Sequence, residues 1–115
     1  MARLSETFLN NDRAKDATAW VNLRGGVRMK IAWFYSEAFQ KALSNKDSDA
    51  KRVFAEHLVL DWENLEDDEG NPLECNVENR AMVLTEYAEI FGKVYEFSRE
   101  AGNFIGTSVE DEVGN

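Results

Sequence analysis

The sequence predicts an α+β fold that is predominantly α-helical, with a short N-terminal β-hairpin followed by about four helices in a single small domain, residues 1–115. Three observations lead to this prediction. Apolar side chains alternate strictly from Val27 to Trp33, which is the period of a half-buried strand. After Ser36 the apolar residues recur at the spacing of amphipathic helices. With 115 residues, 43% of them hydrophobic, the chain can build one modest core.

The hairpin is predicted over residues 20–34. Arg24, Gly25 and Gly26 separate its two apolar stretches, and glycine tolerates the positive φ angles of a tight turn. The preceding residues 1–16 are polar and mixed in charge, so we expect them to be loose or frayed. An isolated hairpin is only marginally stable in water, and this one is therefore expected to pack on the helices.

Two short helices are predicted next, as an antiparallel pair. Ser36 can accept a hydrogen bond from the free N–H groups of a first turn, so it begins the first helix. The second helix is predicted to start near Asp47 or Ser48 and to end around Leu60 or Asp61, because apolar residues recur between these points at helical spacing.

Two further helices are predicted in the C-terminal third of the chain. Asn76 is the expected N-cap of the short helix VENRAMVLTE, and Thr85 that of a longer last helix. An apolar stripe runs along this last helix as far as Phe104. Residues 106–115 are rich in acidic residues and glycine and are predicted to form a disordered tail.

Charge and composition exclude several classes of function. The formal net charge is −9 and the 13 basic residues are scattered, which argues against a nucleic acid partner. No apolar run approaches the roughly 20 residues that span a bilayer, and no secretory signal is recognisable, so we expect no membrane partner and a place in the cytoplasm. Cys75 has no second cysteine to pair with, in keeping with a reducing compartment. A protein partner is favoured by elimination.

The acidic connector, DWENLEDDEGNPLECNVEN (residues 61–79), raises the question of a metal or catalytic site. Aligning Gly70 with the sixth position of an EF-hand loop places Leu65 first and Asn76 twelfth, where an oxygen ligand and a bidentate carboxylate are required. Its consecutive carboxylates lie among turn-forming residues, and general acid–base catalysis needs carboxyl groups held in a cleft with different pKa values. The sequence therefore predicts a solvated connector without metal, cofactor or catalytic residues.

The lone His57 and the lone Cys75 give no stronger signal of chemistry. His57 has no second histidine or cysteine at metal-ligand spacing, so it is predicted to be a core or boundary residue. Cys75 lies just before a helix start, where a thiol pKa can fall, but no histidine is near it in sequence. Without a phosphate-binding glycine loop or a serine nucleophile turn, we predict that the protein is not an enzyme.

Aromatic residues are the more informative feature. Trp33, Phe34 and Tyr35 are adjacent, and because successive strand residues face opposite sides, at least one ring is predicted to point outward. Tyr95 and Phe104 add further rings to a small domain. These rings either complete the core or form a protein-binding surface, since exposed aromatic patches mark interfaces.

The acidic connector also carries a family pattern, which combines a tryptophan, an acidic turn with Gly-x-Pro, and a Glu-Asn pair at a helix start. The positions that carry it are Trp62, Asp68, Gly70, Pro72, Glu78 and Asn79. With the strand and helices around it, from about residue 21 to residue 104, this pattern resembles the tail assembly chaperone family of long-tailed bacteriophages and prophages. The chain departs from the family at Cys75-Asn76, where an aromatic residue followed by Ser or Thr is usual, although Asn still caps a helix.

The resemblance implies a non-enzymatic chaperone in the cytoplasm of the bacterial host. Such a chaperone binds the tape measure protein, keeps it soluble, promotes tail-tube assembly around it, and is not retained in the virion. The resemblance also implies contact with the tail tube protein through a C-terminally extended form, and it is compatible with a homo-oligomer. We expect the partner-binding residues to be Trp33, Phe34, Tyr35, Phe91, Tyr95 and Phe104. The alternatives are a structural tail component, such as a head–tail connector or tail terminator, and an acidic inhibitor of a host enzyme.

Overall fold

Three antiparallel strands form one layer of the protein, β1 (Thr18–Asn22), β2 (Arg28–Ala32) and β3 (Val59–Glu63), in that order across the sheet. Helices form the second layer, so the predicted α+β class is confirmed. The structure, a computed structural model, describes residues 1–47 and 49–105. Ser48 and the predicted acidic tail, 106–115, lie outside the described residues.

β1 and β2 form the predicted hairpin, displaced slightly toward the N-terminus. Its turn contains Gly25 and Gly26 with φ angles of 77° and 80°, a conformation that side chains disfavour. On β2, Met29 and Ile31 are fully buried, and the following Trp33 keeps only 9% of its surface exposed. The alternation predicted for this strand is therefore confirmed.

β3 is the main error of the sequence prediction, which placed its first residues at the end of a helix. Ile31 pairs with Val59 and Met29 with Trp62, so Leu60 is an extra residue at a bulge. The bulge brings Val59 and Trp62, three positions apart, to the same buried face. Because this spacing fits a helix better than a strand, the residues showed no recognisable alternation.

The helical layer contains α1 (Leu4–Thr7), α2 (Asn11–Ala14), α3 (Glu37–Leu43), α4 (Ala50–Val53), α5 (Val77–Glu86) and α6 (Ala88–Arg99). A π-helical turn, Phe54–Leu58, continues α4, and a 3-10 turn, Ala101–Asn103, follows α6. The short α1 and α2 occupy the segment predicted to be loose, and Ala14 of α2 is buried. In the described ranges, no helix combines the length and apolar character required to cross a membrane.

Side-chain caps begin α3 and α5 where the sequence predicted them. Ser36 Oγ accepts a hydrogen bond from the Phe39 N–H (3.4 Å), and Asn76 Oδ1 accepts one from the Asn79 N–H (2.8 Å). The predicted bounds of α5 are confirmed. The predicted cap at Thr85 is wrong, because this residue lies inside α5 and α6 begins only after α5 has ended.

Candidate partner-binding surface

Ring contacts join the six aromatic residues predicted for partner binding into one network with three further phenylalanines. Neighbouring ring centroids lie 4.8–6.4 Å apart, mostly in tilted or edge-to-face arrangements, the geometry that aromatic quadrupoles favour. The network consists of Trp33, Phe34, Tyr35, Phe39, Phe54, Phe91, Tyr95, Phe97 and Phe104. The fold thus gathers rings from the end of β2, from α3, from the π-helical turn and from α6 and the turn after it.

The segment after β2 is fixed to α6 by its backbone. The Phe34 N–H donates to the Ser98 carbonyl (2.9 Å), and Gln40 Nε2 donates to the Phe34 carbonyl (2.8 Å). Ser98 is fully buried, and its hydroxyl donates to the Tyr95 carbonyl (2.9 Å). Because both polar backbone groups of Phe34 are hydrogen-bonded, its ring has a defined position relative to α6.

Two of the six predicted residues are core residues, and the prediction that they contact a partner is corrected here. Trp33 is 9% exposed and Phe104 1%, and their rings pack edge to face, 5.3 Å apart. Phe104 was expected on the apolar stripe of the last helix. That helix ends at Arg99, and the turn after it packs Phe104 against Trp33 and Phe97.

The other four predicted residues form a continuous, partly exposed patch, which we call the aromatic surface: Phe34, Tyr35, Phe91 and Tyr95. Tyr35 is 50% exposed and Tyr95 38%, while Phe34 and Phe91 are half-buried against the core. The Phe34 ring lies 5.0 Å from that of Tyr35 and 5.6 Å from that of Tyr95. Tyr35 confirms the prediction that one ring of the adjacent three points outward.

Two cations lie over the aromatic surface. The Arg99 guanidinium is 4.9 Å from the Tyr95 ring centroid, and Lys51 Nζ is 5.3 Å from that of Phe91. Hydrogen bonding with Tyr35, and then the charge interaction with Tyr95, raises the pKa of Arg99 above its ordinary value. Arg99 therefore stays positively charged at physiological pH. The i, i+4 spacing of Tyr95 and Arg99 could have identified this contact from sequence, whereas no local signal points to Lys51.

Trp62 anchors the acidic connector to the core. Its side chain is buried, with 7% exposed, and its Nε1 donates a hydrogen bond to the Leu73 carbonyl (2.8 Å). The Leu73 N–H in turn donates to the Leu65 carbonyl (2.9 Å), which closes the connector into a loop. The tryptophan of the family pattern therefore holds both ends of this loop against the sheet.

The acidic turn of the connector is organised by Asp67 more than by the Asp68 of the family pattern. Asp67 Oδ1 accepts hydrogen bonds from the N–H groups of Glu69 and Asn71, each at 2.9 Å. Gly70 has a φ angle of 85°, which a side chain would strain. Asp68 is exposed, as is the neighbouring Pro72 of the pattern.

Glu78 and Asn79 tie the start of α5 to its surroundings. The Arg52 guanidinium donates to both carboxylate oxygens of Glu78 (3.1 and 3.2 Å), and Asn79 Nδ2 donates to the Glu74 carbonyl (2.8 Å). The hydrogen bonds to Glu78 and then to Glu56 raise the pKa of Arg52 above its ordinary value. Trp62, Gly70, Glu78 and Asn79 of the family pattern thus shape the connector and the start of α5.

The described part of the chain contains no group of three or more His, Cys, Asp or Glu side chains placed to hold a metal ion. His57 is exposed on the π-helical turn and is not a core residue, which corrects that prediction; its Nε2 lies 3.7 Å from a Glu56 carboxylate oxygen. Cys75 is half-buried, and its Sγ is 3.5 Å from the Arg80 guanidinium.

Comparison with known proteins identifies the family. A family model described as YdaY prophage protein matches residues 11–115, all but the first ten residues of the chain. No significant match was found among the curated proteins or among the solved structures. The prophage origin implied by the connector pattern is confirmed, while the chaperone activity stays a prediction. The chain belongs to the YdaY prophage protein family.

Proposed function

We propose that this protein is a tail assembly chaperone that binds helical segments of a tape measure protein through the aromatic surface. In this role it is not an enzyme. It keeps the tape measure protein soluble in the host cytoplasm until the tail tube assembles around it. The observation that carries the proposal is the continuous patch of four rings on a fixed backbone, with Tyr35 and Tyr95 exposed and Phe34 and Phe91 half-buried beside them.

The aromatic surface suits an apolar helical client. Tyrosine and phenylalanine offer large, rigid contact areas that lose little conformational entropy on binding, and an amphipathic helix presents its apolar residues along one side. Arg99 and Lys51 lie beside the rings and can pair with acidic side chains that flank such a stripe. A net charge of −9 favours solubility of the complex.

Membership of a prophage protein family and the connector pattern both favour a role in phage assembly. The pattern resembles that of tail assembly chaperones from Trp62 to Asn79, and Trp62 and Asn79 make structural hydrogen bonds in this protein. Client binding in this proposal therefore depends on the aromatic surface and not on the pattern residues.

Co-expression with the tape measure protein of the same prophage tests the proposal. We expect the tape measure protein to be insoluble alone, and to be soluble and to co-purify when the wild-type chain is present. The double variant Tyr35→Ala/Tyr95→Ala should lose most of this effect, because it removes the two most exposed rings of the aromatic surface. Circular dichroism and urea unfolding verify that the variant is folded.

Phe8→Ala is the matched control, since Phe8 is an aromatic residue that is 59% exposed outside the aromatic surface. It should behave as the wild type does. A tape measure protein that stays insoluble beside the wild-type chain overturns the chaperone proposal. A client that is solubilised equally by the double variant overturns only the assignment of the surface.

Mass spectrometry of particles from the induced prophage separates the chaperone from a structural tail component. A chaperone should be missing from purified virions. Stoichiometric amounts of the chain in the particle would instead identify it as a head–tail connector, a terminator or another retained component.

A further inference from the structure

Two adjoining cavities lie where the hairpin turn, the acidic connector and the junction of α5 with α6 meet. Their volumes are about 440 and 390 Å³, and both are lined by Leu65, Glu86, Tyr87 and Ile90. We call this region the acidic groove. It lies at the turn end of the hairpin, whereas Tyr35 of the aromatic surface follows the other end of β2.

The floor of the acidic groove is apolar. Its residues come from four separate segments and are half-buried, packed on the core but still open to solvent: Leu23, Val27, Leu65, Leu73, Met82 and Ile90. Tyr87 adds a ring that is 49% exposed. Its backbone angles are non-helical (φ −122°, ψ 86°), so it stands at a break between two helices. Apolar surface gathered in this way is typical of a docking site.

The rim of the acidic groove is strongly negative. Its carboxylates are Glu66, Asp67, Asp68, Glu86 and Glu89, and its cations are Arg24 and Lys93. Arg24 forms an ion pair with Glu89. The other four carboxylates outnumber the one other cation, Lys93. The rim therefore carries a net negative charge, which attracts positively charged side chains.

We propose that the acidic groove binds a basic amphipathic α-helix of a partner protein. Apolar side chains one turn apart on such a helix would enter the two cavities, while lysine or arginine residues beside them would face the carboxylates of the rim. This inference goes beyond the proposed chaperone function. It stands whether or not the aromatic surface binds a tape measure protein.

Charge complementarity favours this occupant over two others. The segment 106–115 of the same chain contains Glu110, Asp111 and Glu112, which the rim carboxylates would repel. A second copy of the chain carries the same net charge of −9 and would be repelled in the same way. A basic helix gains attraction at the rim in addition to burying its apolar face.

A model peptide tests the proposal without knowledge of the natural partner. The probe is a fluorescein-labelled Leu/Lys peptide of roughly 18 residues, about five helical turns, with all leucines on one face. One control peptide has the same composition in an order without an apolar face, and another has Glu in place of Lys. Fluorescence anisotropy gives the affinities, and amide NMR shifts of the full chain locate the site.

Three variants of the chain separate groove binding from general attraction to an acidic protein. Glu86→Lys should weaken binding about fivefold by reversing a rim charge, and a lysine at the end of α5 suits the helix dipole. Ile90→Asp should weaken binding about tenfold although it adds negative charge, because it spoils the apolar floor. Asp16→Lys makes the same charge change as Glu86→Lys at an exposed site before β1, and should leave affinity within about twofold.

Selective binding of the amphipathic Leu/Lys peptide, with shifts centred on Leu65, Tyr87 and Ile90, supports the proposal. Equal binding of the reordered peptide, tighter binding by Ile90→Asp, or shifts centred on the aromatic surface would overturn it. So would concentration-dependent shifts of the groove amides in the free protein, since these identify a second copy as the occupant. A lack of binding by all three peptides also overturns it.

Discussion

The acidic connector and the aromatic surface are both conspicuous in the sequence, but the fold builds them in different ways. The turn of the connector is held by contacts between residues close in the chain, such as Asp67 with Glu69 and Asn71. The aromatic surface combines residues of the β2–α3 connection with residues of α6, more than 50 positions later. Local chemistry therefore decides the form of the connector, and tertiary packing decides which rings reach solvent.

Changes in the connector and changes in the aromatic surface are also expected to have different effects. Trp62 anchors the connector, and Asp67 and Gly70 form its turn, so changes at these residues should act on stability. Tyr35 and Tyr95 stay 50% and 38% exposed, so changes there should act mainly on the partner. Four comparisons of variants test this division by urea unfolding.

The largest effect is expected within the aromatic network itself. Phe104→Ala should lower the free energy of unfolding by about 3–5 kcal/mol, because it removes a ring that is only 1% exposed. Tyr95→Ala should lower it by less than about 1 kcal/mol, since that ring is 38% exposed. Equal losses in the two variants would show that the network is not divided into core and surface as described.

Trp62→Phe should lower the free energy of unfolding by about 1–3 kcal/mol. The variant keeps an aromatic ring but loses the Nε1 donor to the Leu73 carbonyl. Trp20→Phe is the control, because Trp20 is half-buried on β1 and its ring is covered by Arg28. If both tryptophan variants lose the same stability, the Leu73 hydrogen bond is not the anchor of the connector.

Asp67→Ala should lower the free energy of unfolding by about 1–2 kcal/mol, because the N–H groups of Glu69 and Asn71 lose their shared acceptor. Asp68→Ala, one position along, should change it by less than about 0.5 kcal/mol, as expected for an exposed side chain. The reverse order of the two losses would place the organising carboxylate at Asp68.

Two glycines give the smallest pair of effects, opposite in sign. Gly70→Ala should cost about 1 kcal/mol, because the φ angle of 85° strains any side chain. Gly92→Ala should raise the free energy of unfolding by about 0.5–1 kcal/mol, since Gly92 lies inside α6 and an added Cβ meets nothing within 4 Å. A loss of stability in Gly92→Ala would indicate a packing constraint on this face of α6.

Features encoded by neighbouring residues could be predicted well. The hairpin with its glycine turn, the caps at Ser36 and Asn76, and the bounds of α5 follow from alternation and capping chemistry within a few positions. The start of α6 and the strand β3 could not be predicted in this way. α6 begins after a backbone break at Tyr87 that carries no capping side chain, and β3 depends on its pairing with β2.

By itself, the sequence determined the α+β class, the prophage-like connector pattern and the presence of excess aromatic rings. Periodicity, caps and turns are local properties, and each is visible in a short stretch of residues. Only the tertiary structure decided that Trp33 and Phe104 are core residues and that Tyr35 and Tyr95 are surface residues. The acidic groove likewise exists only because segments remote in sequence meet, since burial depends on what packs against a side chain and not on its immediate neighbours.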